Sequence, residues 1–335
     1  MKLICYGASV TAQKFETGYV QQLVDTPSAN KFECIEKVAF GASQFEYAGY
    51  AFMQDVIDKK PDICVIDWLT PSMKGFNSFK IDLLNRALLD INCYPLWMFF
   101  PRVNNFQNLP EAYTQVQSSA EKFGVGFIDV REYMTDFLDN PKKYLRDAVH
   151  TTLNGAKLYA DIISEALIPI VVQHSKLLTD AKQSLIYSET KAQNLPVPCI
   201  KEIETTIDNS KGLEFNFKYL GGFFEVYFDT EIGPEICLLN FQLYRNGEVY
   251  YEKTFNNVDP WSYYSRVMVV ETLRKRIPEG NYRLVISKKP GNPFFGKETK
   301  KPVELICDDQ DRHLNIKRIS ITVDEFEVSI TNVGK

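Results

Sequence analysis

The chain has 335 residues, 45% of them apolar and 24% charged, a globular composition with length for about two domains. Aromatic side chains make up 13%, with 23 Phe, 18 Tyr and 3 Trp, which argues against disorder and coiled coil. The net charge is −5, with sixteen basic against twenty acidic side chains up to Ser175 and 22 against 23 beyond it. Neither half has the basic excess of a duplex nucleic-acid binder, so no nucleic-acid partner is expected.

The first half alternates. β-rich runs at Lys2–Tyr6, Cys34–Ala39, Ile63–Asp67, Tyr94–Phe100 and Gly126–Val130 are separated by helix-length patterns at Tyr19–Val24, Tyr47–Lys59, Phe79–Ile91 and Glu111–Phe123. This alternation predicts an α/β domain on a central parallel sheet. The run Ile63–Ile66 is apolar throughout, as in a strand covered on both faces. A last helix is expected from Thr152 to about Leu167, stopping near Pro169. The best candidate for a membrane span, Ala166–Val172, has seven residues and contains Pro169, so no span is expected. Lys2 is the only leading charge and no signal-type apolar stretch follows, which predicts a cytoplasmic protein.

Residues 1–175 are assigned to the α/β domain, 176–198 to a linker and 199–335 to a β-sandwich domain. Within the linker, Lys176–Ser188 allows a helix, while Leu195-Pro196-Val197-Pro198 reads as extended. After Cys199, alternating strands take over at Glu214–Lys218, Phe223–Phe228 and Leu238–Tyr244, then Tyr282–Ser287, Ile316–Val323 and Glu325–Ile330. Asn246-Gly247 between two such runs predicts a type I′ hairpin. The lysine-rich stretch Lys297–Lys301 reads as solvated loop. Seven cysteines without CxxC spacing, Cys5, Cys64 and Cys237 among them in apolar runs, read as buried reduced thiols. The three histidines, His150, His174 and His313, are unpaired in sequence; no metal or cofactor is expected.

Three short segments carry chemical groups. Gly7-Ala8-Ser9-Val10-Thr11 follows the first strand, at the carboxyl edge where ligand sites of open α/β sheets gather. Ser9 presents a hydroxyl there, or Ser9 or Thr11 simply caps the next helix. Asp147-Ala148-Val149-His150 precedes the last helix. A serine needs a base near neutral pH, and a carboxylate three residues from an imidazole can fix its tautomer. The plain alternative is a capping Asp147 and a pocket-filling His150. Gly41, in Ala39-Phe40-Gly41-Ala42-Ser43, offers an N–H to an oxyanion or is an ordinary turn glycine. No GxGxxG or P-loop spacing follows the first strand.

Taken together, these segments resemble the SGNH (GDSL-like) hydrolase superfamily over about residues 1–170. The family opens with Gly-Asp-Ser-x-Thr/Ser, here Gly7 to Thr11. It places an oxyanion glycine after the second strand, here Gly41, and closes with Asp-x-x-His and a helix, here Asp147 and His150 with Asn154-Gly155 behind them. The resemblance implies a three-layer flavodoxin-like fold and a catalytic triad of Ser9, His150 and Asp147. Two positions depart from the family pattern. Ala8 replaces its Asp, and its Gly-x-Asn-Asp block is absent, because Ile63–Ile66 runs into Asp67-Trp68-Leu69-Thr70-Pro71-Ser72. Thr70, Ser72, a backbone N–H or another loop must then supply the missing oxyanion donor, worth ~10²–10³ in rate.

Further candidates lie on neighbouring loops. Asn104 or Asn105 could supply that donor. Arg102 suits an anionic group or a surface salt bridge. Trp68 suits a sugar or acyl portion or a half-buried packing role, and Gln13, Lys14 and Tyr19 are candidate substrate contacts. The resemblance implies a serine O-acyl esterase acting on a small-molecule or glycan ester, with O-acetylated carbohydrate the expected class. The alternatives are an O-acyltransferase of polysaccharide synthesis using a donor such as acetyl-CoA, or a degenerate scaffold whose sandwich binds glycan or protein through Trp261, Tyr263 and Tyr264. An oligomer is compatible with all three.

Overall fold

The structure is a computed structural model that describes residues 1–71, 75–188, 199–207, 212–234, 236–255, 263, 265–289, 314–323 and 331–332. Residues 1–193 and 194–335 form two compact units. The first unit runs β1 (Lys2–Gly7), α1 (Ser9–Ala12), α2 (Tyr19–Leu23), β2 (Cys34–Ala39), α3 (Gln54–Ile57), β3 (Ile63–Asp67) and α4 (Ser78–Asp90). It continues with β4 (Tyr94–Phe99), α5 (Glu111–Phe123), β5 (Gly126–Asp129), α6 (Pro141–Tyr144) and α7 (Leu153–Ser188). Its sheet is parallel, in the flavodoxin-like order β2-β1-β3-β4-β5. β3 and β4 are buried at every residue, so their apolar runs are covered on both faces. Gly7, Ala39 and Asp67 stand in register, so β1, β2 and β3 end level on one edge.

All five expected strands of this unit form, and α5 spans the expected residues. Gly124 ends α5 in the left-handed region, φ 62°, as a glycine cap. Two helices differ from expectation. The pattern at Tyr47–Lys59 breaks into a π-helical turn, Phe45–Gly49, and the short α3. Gly49 lies against the Trp68 ring, where a β-carbon would come within 2.7 Å, so the backbone deforms to admit the indole.

The second difference is larger. α7 does not stop near Pro169 but continues through it to Ser188, so residues 176–188 take the helical alternative that the sequence allowed. Tertiary contacts outweigh the lost backbone bond. Leu178 and Ala181 are buried, and Ala181 closes on Gly124. His174 Nε2 lies 2.9 Å from the Asp62 carbonyl oxygen, and the Lys182 ammonium donates to Asn92 Oδ1 at 2.7 Å. Asp62, Asn92 and Gly124 precede β3, β4 and β5, so the helix tail closes the amino edge of the sheet.

The second unit is antiparallel. Its strands are β6 (Cys199–Ile207), β7 (Leu213–Tyr219), β8 (Gly222–Ile232), β9 (Leu238–Arg245), β10 (Glu248–Phe255), β11 (Arg266–Ile277), β12 (Gly280–Lys289), β13 (Leu314–Val323) and β14 (Thr331–Asn332). One sheet has the order β10-β9-β12-β7-β14, the other β11-β8-β13-β6. Alternate side chains of both sheets meet in one apolar core, with Phe217 stacked on Phe224 at 5.3 Å and Phe228 tilted on Phe241 at 6.1 Å. The expected hairpin forms: Asn246 (φ 51°) and Gly247 (φ 91°) join β9 to β10. β6 and β11 were not anticipated. β11 hides its alternation behind a bulge between Glu271 and Leu273 and a charged Arg274-Lys275-Arg276 run. Leu195–Pro198, Lys297–Lys301, His313 and the expected strand Glu325–Ile330 lie outside the described residues.

Pro169 is exposed inside α7. Pro169→Ala restores a helical N–H and removes the ring clash, so it is expected to stabilise the first unit by about 1–3 kcal/mol. A rise in thermal midpoint checks this.

Candidate active site

Asp147 and His150 sit in one closed loop. Leu145 bridges to Thr151, and Arg146 N–H donates to the His150 carbonyl at 2.9 Å, which pinches residues 147–149 into a tight turn. Within it the Asp147 carboxylate accepts from the N–H groups of Val149 (2.9 Å) and His150 (2.8 Å). Asp147 Oδ2 lies 2.9 Å and Oδ1 3.1 Å from His150 Nδ1. Burial pushes the Asp147 carboxyl up, but the backbone donors of His150 and Val149 and the imidazole outweigh it and hold it below the usual aspartate range. An ionised carboxylate on Nδ1 favours the Nδ1–H tautomer and leaves Nε2 as the basic nitrogen. Gly155 seats this loop: a β-carbon there would lie 2.1 Å from the Tyr144 carbonyl oxygen.

Ser9 is the first residue of α1, directly after β1, and is half-buried. Among the described residues its hydroxyl and its N–H have no hydrogen-bond partner, and neither does His150 Nε2. The turn is tied to the His150 loop across 138 positions. Gln13 Oε1 accepts from Thr151 N–H at 3.1 Å and lies 3.0 Å from the Thr151 hydroxyl, while Gln13 Nε2 donates to the Thr17 carbonyl at 2.9 Å. Gln13 is therefore a buried structural clamp and not a substrate contact. Tyr19 is buried as well, its hydroxyl 3.0 Å from Thr11 Oγ1. Lys14 is exposed on the same loop.

Gly41 occupies the turn after β2, with open space where a β-carbon would stand. Among the described residues its N–H is unpaired. Phe40 N–H donates to the Gly7 carbonyl at 3.0 Å, holding this turn beside the Ser9 turn.

Two expectations for the loop after β3 fail. Trp68 is fully buried, edge-on to Tyr6 at 5.3 Å and stacked with Phe40 at 6.4 Å, so it is core and not a platform for substrate. Thr70 is buried too, and its hydroxyl proton goes to Asp67 Oδ1, so its side chain cannot donate to an oxyanion. Ser72 lies outside the described residues.

Asp67 itself went unassigned in the sequence. Its fully buried carboxylate also accepts from Thr11 Oγ1 at 3.0 Å, two residues past Ser9, and backbone bonds from Thr70 and Thr11 add to these. Burial dominates and raises its pKa to about 7 against the donors of Thr70 and Thr11. The available signal was an acid ending an otherwise apolar strand.

After β4, Asn104 is exposed, whereas Asn105 is buried and its Nδ2 has no partner among the described residues. Arg102 is half-buried with its Nε likewise unpartnered. Burial lowers its guanidinium pKa, and the nearby Asp147 opposes that shift. Val103 N–H donates to the Ala148 carbonyl at 3.1 Å, so the β4 loop and the His150 loop meet. Among the described residues no group of three or more His, Cys, Asp or Glu could hold a metal ion, and no helix is long and apolar enough to cross a membrane. Trp261 and Tyr264 lie outside the described residues, and Tyr263 is half-buried.

No family model and no curated protein matches the sequence. Over nearly its whole length the chain is similar in structure to a two-domain esterase (CEX) active on acetylated mannans. The TM-score is 0.60 at 9% identity, covering 98% of this chain and 92% of that one. The same esterase co-crystallised with mannopentaose gives 0.59 at 8% identity with the same coverage. An acetyl xylan esterase, AlAXEase, matches 50% of this chain and all of its own, at 20% identity and a TM-score of 0.42. The likeness to the two-domain esterase establishes a shared fold.

The Asp67 pKa of about 7 stands above the 3.8 of an ordinary aspartate. The unfolded state therefore releases this proton first as pH rises. The site's contribution to stability is full below the unfolded pKa, falls as pH approaches 7 and levels off above it. Asp67→Asn removes that dependence. Its stability relative to wild type is expected to climb by a few kcal/mol between about pH 4 and pH 8, read from denaturant titrations at each pH.

Proposed function

We propose that the protein is a serine-dependent O-acyl esterase acting on O-acetylated carbohydrate. The observation that carries this reading is the Asp147–His150 pair, closed in one loop and tied through Thr151 and Gln13 to the turn that bears an unpaired Ser9. The SGNH-like order of the motifs supports it, as does a fold shared with an esterase active on acetylated mannans.

In this reading His150 Nε2 takes the Ser9 proton as Oγ attacks the ester carbonyl. Asp147 keeps the imidazole oriented and stabilises the imidazolium. The unpaired N–H groups of Ser9 and Gly41 receive the oxyanion, and Asn105, with its unpaired amide, takes the third-donor role in place of the exposed Asn104. His150 then protonates the leaving sugar oxygen. Water, deprotonated by Nε2, releases acetate from Ser9. Arg102 is assigned to substrate orientation.

The test is release of acetate from acetylated manno- and xylo-oligosaccharides, together with fluorophosphonate labelling. Wild type is expected to turn over and to be labelled at Ser9. Ser9→Ala is expected to lose at least ~10³-fold in kcat/KM and all labelling. Asn105→Ala is expected to lose ~10²-fold in kcat with the label retained. Turnover that requires a sugar acceptor and acetyl-CoA would move the reaction to acyl transfer. A wild type that neither turns over nor labels would leave only a scaffold.

A further inference from the structure

We infer that Phe15 is a saccharide-stacking platform, pinned beside the catalytic loop at the expense of backbone strain. This deepens the esterase reading and rests on it for the substrate class.

Phe15 is 80% exposed, the most exposed large apolar side chain among the described residues. Its φ is 57°, a left-handed conformation that a β-carbon disfavours and a bulky residue rarely adopts. Packing does not offset this, because the ring stands in water. Strain of this kind persists where the surroundings impose it, and it concentrates at ligand sites.

The surroundings here are a clamp. Gly18 folds back so that a β-carbon would lie 2.5 Å from the Gln13 carbonyl oxygen, closing the loop at its base. Gly18 N–H donates to the Phe15 carbonyl at 3.1 Å. The Thr17 carbonyl accepts from Gln13 Nε2 at 2.9 Å and from the Thr151 hydroxyl at 2.7 Å. The Lys37 ammonium donates to the Gln13 carbonyl at 2.6 Å. Thr151 directly follows His150, so the loop that bears Phe15 is tied to the segment that carries His150.

The surface around the ring selects the ligand. Exposed Lys14 and Glu16 flank it in the chain. A sugar has an apolar face of C–H groups and a polar edge of hydroxyls, which suits one aromatic face between charged groups. A bilayer or an apolar peptide would need a broader patch than one ring between a cation and an anion.

The experiment measures binding of mannopentaose and xylopentaose by calorimetry, with no turnover required, beside fluorophosphonate labelling and thermal melting. Wild type is expected to bind at least one oligosaccharide. Phe15→Ala is expected to weaken that binding at least ~5-fold, and Phe15→Trp to keep it within ~2-fold. Phe15→Gly relieves the left-handed strain and is expected to raise Tm by about 2 °C while losing the same affinity. Unchanged binding by Phe15→Ala would overturn the proposal, as would a wild type that is labelled at Ser9 yet binds neither saccharide. A Phe15→Gly variant with lowered Tm would remove the strain argument and overturn the clamp. Saccharide binding that depends on Phe15, in a protein that fluorophosphonate does not label, would sink the esterase reading and leave the platform standing.

Discussion

The site hangs on one buried carboxylate. Asp67 ends β3 with no cation in hydrogen-bond contact among the described residues, and receives hydroxyl and backbone bonds from Thr11 in α1 and from Thr70 on the loop after β3. Removing a carboxylate from water costs several kcal/mol, and hydrogen bonds to a charged group return about 1.5–3 kcal/mol each. The bonds from Thr11 and Thr70 offset only part of the desolvation, which is why the pKa stays raised, at about 7. The geometric effect is to lock the Ser9 turn to the loop after β3. Gly7 makes this approach possible, since a β-carbon there would fall 2.3 Å from Thr11 Oγ1. With Ala8 preceding the serine, the locking acid comes from the neighbouring strand.

Order around the imidazole is built the opposite way, from short-range contacts. Asp147 folds its own loop through two backbone donors and then steadies the ring three residues later. The long-range link from Gln13 to Thr151 registers that loop against the Ser9 turn, beside those from Thr151 to Thr17 and from Val103 to Ala148. The amide and hydroxyl involved are buried, where an unmade bond costs more than in water, so the link resists slippage.

Much of the architecture was legible because parallel strands buried on both faces are apolar runs, and because helices such as α5 carry their own caps. Chain order and residue type singled out Ser9, Gly41, Asp147 and His150 as candidates, and of these Asp147 and His150 are in direct contact. Side-chain direction was not. Trp68, Gln13 and Thr70 are near the chemistry in sequence, yet each turns inward: an indole into an aromatic cluster, an amide onto Thr151, a hydroxyl onto Asp67. Asn105 is buried and Asn104 exposed, since adjacent residues in a turn point to different sides. The continuation of α7 past Pro169 depended on partners at Asp62, Asn92 and Gly124 that lie far away in sequence. β11 was hidden because a bulge shifts its period and its outward residues are charged.

The closed Asp147–His150 loop has an evolutionary corollary. Asp147 and His150 form a locally folded pair, joined to neighbouring loops at Thr151 and Ala148. Loops elsewhere on the carboxyl edge are then free to lengthen, shorten or change composition while this pair keeps its shape. The surroundings can drift on such a framework while the carboxylate–imidazole contact persists.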